Sequence, residues 1–215
     1  MHNATVEDRQ PPRIFLLSPA SCSGRRGRLV ASPDAAHPLA LRMRTPAGVP
    51  IGEVFSFVSG LYFRGKLAYA RRFARPPDPA EPLAAGGVLV ITPNAGLRAA
   101  DTPVTAASLR AFAETAIDAA NEAYRGPVAR GALAVREAVG PECDVVLLGS
   151  IASGKYVDVL LPIFGDRLVF PADFVGRGDM SRGGLMLRSA AAGAELAYVP
   201  VAGAVRRGPR PPRPT

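Results

Sequence analysis

Of the 26 basic residues in this chain, only Lys66 and Lys155 are lysine. An arginine-favouring codon usage produces such a bias, and a lysine that survives it marks a position suited to a compact ammonium and not to a planar guanidinium. Both lysines follow a glycine, Gly65 and Gly154. Helical spacing sets Lys66 among Phe55, Tyr62, Tyr69 and Phe73, with Arg64, Arg71 and Arg75 on roughly the opposite stripe. An ammonium half-buried between Tyr62 and Tyr69 has a lowered pKa and could serve as base, nucleophile or phosphate ligand. The competing account is a stem packed on the rings with its head in water. The arginine stripe is either a track for a nucleic-acid backbone or an ordinary solvated helix face.

Three loops are chemically loaded. The first, Ser18 to Arg26, offers the hydroxyls of Ser18 and Ser21 and several cations. The second runs from Gly149 to Tyr156 and carries Ser150, Ser153, Lys155 and Tyr156. It fits the Gly-x-x-x-x-Gly-Lys spacing of a phosphate cradle, but Tyr156 stands where magnesium binding calls for Ser or Thr, and a plain small-residue turn has the same composition. The third, Gly176 to Gly184, brings Arg177, Asp179, Ser181 and Arg182 to the start of a helix whose first amides can receive an anion.

Ser18, Ser21, Tyr62, Ser150, Ser153, Lys155, Tyr156, Arg177, Ser181 and Arg182 form the candidate ligand or phosphate set, with Lys66 and Asp179 as candidates for acid/base work. Asp158, Asp166 and Asp173 show no paired spacing that singles them out. His2 and His37 give no source for a histidine-based triad or metal site. Cys22 and Cys143 are too few for a zinc site or a disulfide scaffold. Neither a metal nor a cofactor is therefore expected.

These loops need elements to hold them. Ile14–Leu17 within Arg13–Ser18, Val88–Thr92 and Asp144–Leu148 are continuous apolar runs, as expected of strands covered on both faces. Leu39–Thr45 alternates as a further strand would, and Arg167–Phe170 and Glu195–Val201 complete the set. Helices are expected over Gly52–Arg75, from Thr102 to the Gly126–Pro127 stop, over 128–139, over Tyr156–Phe164 and over Asp179–Ala192. Gly60 and Gly65 weaken the case for one unbroken helix here, and a kink or break near Gly65 would void the alignment of Lys66 with the aromatic side chains. The alternation predicts one α/β domain over 13–202, a mostly parallel, mixed sheet flanked by helices, between unstructured termini at 1–12 and 203–215. In such sheets ligands bind at loops beyond the carboxyl ends of the strands.

The net charge is +8, but Arg206, Arg207, Arg210 and Arg213 lie in the last ten residues, and removing them leaves +4. That excess favours a polyanion or a phosphorylated ligand without choosing between them. No apolar run reaches the roughly 20 residues that span a bilayer, and the first residues lack a secretory pattern. No membrane partner and a cytoplasmic location are the corresponding expectations, and nothing bears on oligomeric state.

Four short motifs occur in a telling order: Leu17-Ser18-Pro19-Ala20, Ser59-Gly60-Leu61-Tyr62, Ala152-Ser153-Gly154-Lys155-Tyr156 and Arg177-Gly178-Asp179-Met180-Ser181-Arg182. In this the chain resembles the YaaA family of peroxide-stress proteins, although Lys155 replaces that family's acidic residue before the tyrosine. The resemblance implies a mixed α/β fold, a positively charged cleft, DNA binding and a role in limiting oxidative DNA damage. It also implies that Ser18, Tyr62, Ser153, Tyr156, Arg177 and Arg182 line one cleft. Two functions are open at this point. One is a nucleic-acid or nucleotide-binding domain in which Lys66 and Lys155 are point-charge phosphate contacts and Arg177 and Arg182 forked ones. The other is an enzyme on a nucleotide or nucleobase-like small molecule. A long open groove favours the first and a closed pocket the second. A plain interaction module would scatter the loops.

Overall fold

The computed structural model describes residues 11–209. Its framework is a six-stranded sheet. Strand β1 (Arg13–Leu17) pairs in parallel with β3 (Val88–Ile91) on one side and β6 (Asp144–Leu148) on the other, and β6 pairs in parallel with β7 (Leu168–Pro171). The edges are antiparallel: β4 (Leu97–Ala99) on β3 and β8 (Tyr198–Pro200) on β7, giving the order β4-β3-β1-β6-β7-β8. β1 is central and covered on both faces, which is why all five of its residues are buried. Two further strands, β2 (Val49–Pro50) and β5 (Pro103–Val104), form a separate antiparallel pair. The chain is thus a single α/β domain with a mostly parallel, mixed sheet.

The crossover from β1 to β3 contains α1 (Arg25–Ala31), α2 (Pro38–Met43), α3 (Ile51–Ser59) and α4 (Leu61–Phe73). It runs in the opposite direction along the sheet from the crossovers β3 to β6, through α5 (Ala106–Glu114) and α6 (Glu122–Val139), and β6 to β7, through α7 (Gly154–Phe164). Right-handed crossovers in opposite directions put their helices on opposite faces. Packing agrees, because α4 lies against α8 (Asp179–Ala192) while α6 lies against α7. The direction reverses at β1, so a crevice opens between the loops that follow β1 and β6.

Several segments differ from the sequence-based expectation. Residues 39–45 are the helix α2 and its exit, not a strand: His37 caps it by accepting the Leu39 N–H, Pro38 stands at its start, and Leu39, Ala40 and Met43 are buried while Leu41 is not. The long pattern over 52–75 is two helices, broken at Gly60 and not near Gly65. Gly60 takes φ 64° and ψ −129°, a conformation a side chain resists. Thr105, not Thr102, opens α5, closing a reciprocal cap with Ser108, and the helix stops at Glu114. A second helix, α6, then starts at the Asn121 cap and runs through Pro127, which removes one backbone bond in its second turn without ending it. The helix expected over 128–139 is the rest of α6. The helix α1 and strands β2, β4 and β5 are additional elements. Of the termini expected to be unstructured, residues 1–10 and 210–215 lie outside the described residues; residues 11–12 and 204–209 carry no helix or strand, and Gly208 and Pro209 lie against Val175 and Gly176.

Candidate functional site

The Ser18 backbone N–H donates to the Leu148 carbonyl, extending the β1–β6 pairing by one residue. Ser18 therefore sits beside Gly149, where an added Cβ would come within 3.0 Å of the Ser18 Cβ. From the opposite wall α4 sends in Lys66. Its Nζ donates to the Ser18 carbonyl at 2.5 Å and to the Ser18 Oγ at 2.9 Å, and it lies 4.4 Å from the Tyr62 ring centroid and 4.8 Å from that of Phe63.

Lys66 is 0% exposed and makes no ion pair among the described residues. Loss of hydration disfavours its charged form and lowers its pKa to about 7; Asp179 opposes the shift and Lys155 adds to it. At neutral pH this amine is therefore poised between its two forms.

Above this pair lies a cleft of about 320 Å³ lined by Ser18, Ser21, Ser59, Tyr62, Ser150, Lys155, Tyr156 and Asp179, with Pro19, Ala20 and Ile117. Tyr62 and Tyr156 are buried in its wall. Burial pushes Tyr62 up to about 12, partly offset by Arg182, and raises Tyr156 as well, so both are neutral phenols near pH 7. The Tyr62 hydroxyl is buried without a hydrogen-bond partner among the described residues. Lys155 lies at the start of α7, with its Nζ 5.1 Å from the Tyr156 centroid, and its carbonyl accepts the Tyr124 hydroxyl of α6 at 2.9 Å. The lining thus brings together the Lys155 ammonium, the Asp179 carboxylate, serine hydroxyls and two tyrosine rings.

Seven of the candidate residues, Ser18, Ser21, Tyr62, Ser150, Lys155, Tyr156 and Asp179, share this lining, and Lys66 lies beneath Ser18. The remaining candidates lie off it. Ser153 precedes α7 as an exposed cap residue that makes no side-chain capping bond. Arg177 donates to the Asp173 carbonyl and the Ser181 Oγ. Arg182 forks onto the Phe174 carbonyl at 3.1 and 2.9 Å and lies 3.8 Å from Asp179. These three side chains, Arg177, Ser181 and Arg182, hold the turn that aims α8 at the cleft. Ser59 and Ile117 belong to the lining without having been singled out. Ser59 stands inside the Ser-Gly-Leu-Tyr motif, whereas nothing local marks Ile117.

The arginine stripe is partly neutralised: Arg71 pairs with Asp101 at 2.6 Å and Arg75 with Glu195 at 3.0 Å, leaving Arg64 exposed. Cys22 and Cys143 are buried, their thiols pushed up to about 12 and about 11 by desolvation. Among the described residues no three His, Cys, Asp or Glu side chains cluster to hold a metal, and no helix is long and apolar enough to cross a membrane. No family model, curated protein or solved structure matches this chain.

Proposed function

We propose that the chain is an enzyme acting on a small anionic, nucleotide- or nucleobase-like molecule, with Lys66 as its acid/base group. The observation that carries this reading is Lys66 itself, fully buried, in no ion pair among the described residues and bonded to Ser18 at the floor of the cleft. Burying an unpaired ammonium is costly, and a perturbed amine at the foot of a pocket is the mark of a working group. The cleft volume of about 320 Å³ suits a ring with a short polar substituent. Tyr62 and Tyr156 bring aromatic rings to the lining, and Lys155 with the first turn of α7 offers positive potential to an anion.

The YaaA resemblance would instead put DNA in a basic cleft. Calorimetric titration with nucleoside monophosphates, beside anisotropy titration with single- and double-stranded DNA over a salt series, separates the two. Micromolar to millimolar nucleotide binding that Lys155→Ala weakens supports the small-molecule reading. Salt-sensitive DNA binding without nucleotide binding overturns it in favour of the polymer.

A further inference from the structure

Resting on the reading of the cleft as an active site for a small molecule, we infer that Ser18 is a nucleophile and Lys66 its general base, a serine–lysine pair for acyl transfer from small esters or amides that carry an anionic group. The geometry supplies both halves. Ser18 belongs to the cleft lining, and its hydroxyl is 2.9 Å from the Lys66 Nζ. A neutral amine has two N–H donors and one lone pair. One N–H is used by the Ser18 carbonyl at 2.5 Å, which anchors the amine, and the lone pair is then free to accept the Ser18 O–H.

Among the described residues no carboxylate makes an ion pair with Lys66 to hold its proton: the Tyr62 and Phe63 rings of its own helix lie over it, Ser18 after β1 bonds it, and the charges that act on it are Asp179 on α8 and Lys155 on α7, while Arg182 bears on Tyr62 and Tyr62 on Tyr156. Burial keeps a large share of Lys66 deprotonated at pH 7. Such a pair needs no histidine, and His37, the histidine among the described residues, is not part of this lining. Ser21 and Ser150 belong to the same lining, and their backbone N–H groups make no hydrogen bond to the protein among the described residues, which makes them the donors this proposal assigns to a developing oxyanion.

The step balances on these atoms. The Ser18 Oγ bonds to the substrate carbonyl carbon as its proton passes to the Lys66 amine, and the carbonyl π electrons move to oxygen. Collapse breaks the bond from carbon to the leaving oxygen or nitrogen, which departs with the proton from Lys66. Water then attacks the acyl-serine, Lys66 takes the water proton and returns it to the Ser18 Oγ, and the acid is released. Lys155 supplies the charge that an anionic substituent requires.

The test is labelling with phenylmethanesulfonyl fluoride, small enough for the cleft, read by intact mass and peptide mapping. The Ser18 Oγ–S bond forms, fluoride leaves and the proton goes through Lys66 to solvent. The expected result is a single sulfonyl adduct on Ser18, absent in Ser18→Ala and at least about 100-fold slower in Lys66→Met. The wild-type rate should rise about tenfold per pH unit below pH 7 and level off above it.

No adduct, an adduct elsewhere, or a rate on Ser18 that ignores pH between 5 and 8 overturns the pair. The pH profile needs only the wild type, so it decides the matter even if Lys66→Met fails to fold. Nucleotide binding without an adduct overturns the nucleophile and spares the small-molecule reading. An adduct without nucleotide binding supports the pair and overturns only the nucleotide-like class.

Discussion

Gly65 of α4 and Gly183 of α8 meet backbone to backbone. A Cβ added at Gly65 would stand 2.5 Å from the Gly183 carbonyl oxygen, and one at Gly183 would stand 2.8 Å from the Leu61 carbonyl oxygen and 2.9 Å from the Tyr62 Cα. This crossing lies one residue from Lys66 and one from Arg182, so it sets how closely the start of α8 covers the floor of the cleft. In an exposed helix either Gly→Ala change would stabilise by up to about 1 kcal/mol. Here the new methyl meets backbone that cannot step aside. Gly65→Ala and Gly183→Ala are each expected to destabilise by about 1–3 kcal/mol in urea unfolding and to loosen the cleft. Wild-type stability in both would show that the helices do not approach this closely.

The pH dependence of stability carries the signature of Lys66. Its folded pKa, about 7, lies below its unfolded value, so between about pH 7 and pH 10 the unfolded chain binds more protons than the folded one. The penalty of burying Lys66 is complete below pH 7 and is relieved as pH rises through that window. Tyr62 and Tyr156, raised by burial, act in the opposite sense but only above about pH 10. The unfolding free energy of the wild type in urea titrations should therefore climb from pH 6 to pH 9 relative to Lys66→Met, by an amount on the order of a few kcal/mol. Parallel profiles for the two proteins would mean that Lys66 stays charged in the fold.

A second buried polar cluster lies at the other end of β1. The Glu195 carboxylate accepts from Arg13 at 2.7 Å, Arg75 at 3.0 Å and the Tyr198 hydroxyl at 2.9 Å, and the Tyr198 and Tyr69 hydroxyls are 2.6 Å apart. The Arg13 side chain is only 9% exposed, so removing the charge it faces leaves a guanidinium poorly hydrated and uncompensated. Glu195→Gln is expected to cost about 3 kcal/mol in chemical denaturation while leaving sulfonylation of Ser18 unchanged. Loss of labelling in a folded Glu195→Gln protein would instead show that the two ends of β1 are coupled.

What can be read along the chain, and what cannot, follows the range of the forces involved. β1 and β6 were legible because Ile14–Leu17 and Val145–Leu148 are unbroken apolar runs closed by Pro19 and Gly149, and α8 because Asp179 opens it and Gly193 ends it in the left-handed region. Residues 39–43 satisfy both the strand and the helix period over so short a span, and only the His37 cap decides for α2. Gly60 and Gly65 look alike in sequence. Tertiary packing assigns the break to one and the helix crossing to the other. At the site, Lys66 was legible beside Tyr62 from their spacing of four. Its bond to Ser18 joins residues 48 apart, and no local pattern encodes it. Arg177 and Arg182 were recognisable as donors, but not their turn inward onto the carbonyls of Asp173 and Phe174.

The scarcity of lysine makes the charge balance around Lys66 directly observable. With only Lys66 and Lys155 in the chain, lysine-selective isotope labelling yields two side-chain amine signals, and Lys155→Met leaves one. Asp179 raises the Lys66 pKa and Lys155 lowers it. Asp179→Asn should therefore move the Lys66 titration to lower pH, and Lys155→Met should move it to higher pH. Desolvation, the larger cause, persists in both variants and keeps each midpoint below the ordinary lysine range. Shifts in opposite directions would establish that α7 and α8 both direct their charge at the same buried amine. Shifts of one sign, or a Lys66 signal titrating near pH 10 in the folded wild type, would show that the amine reaches water and that the floor of the cleft is open.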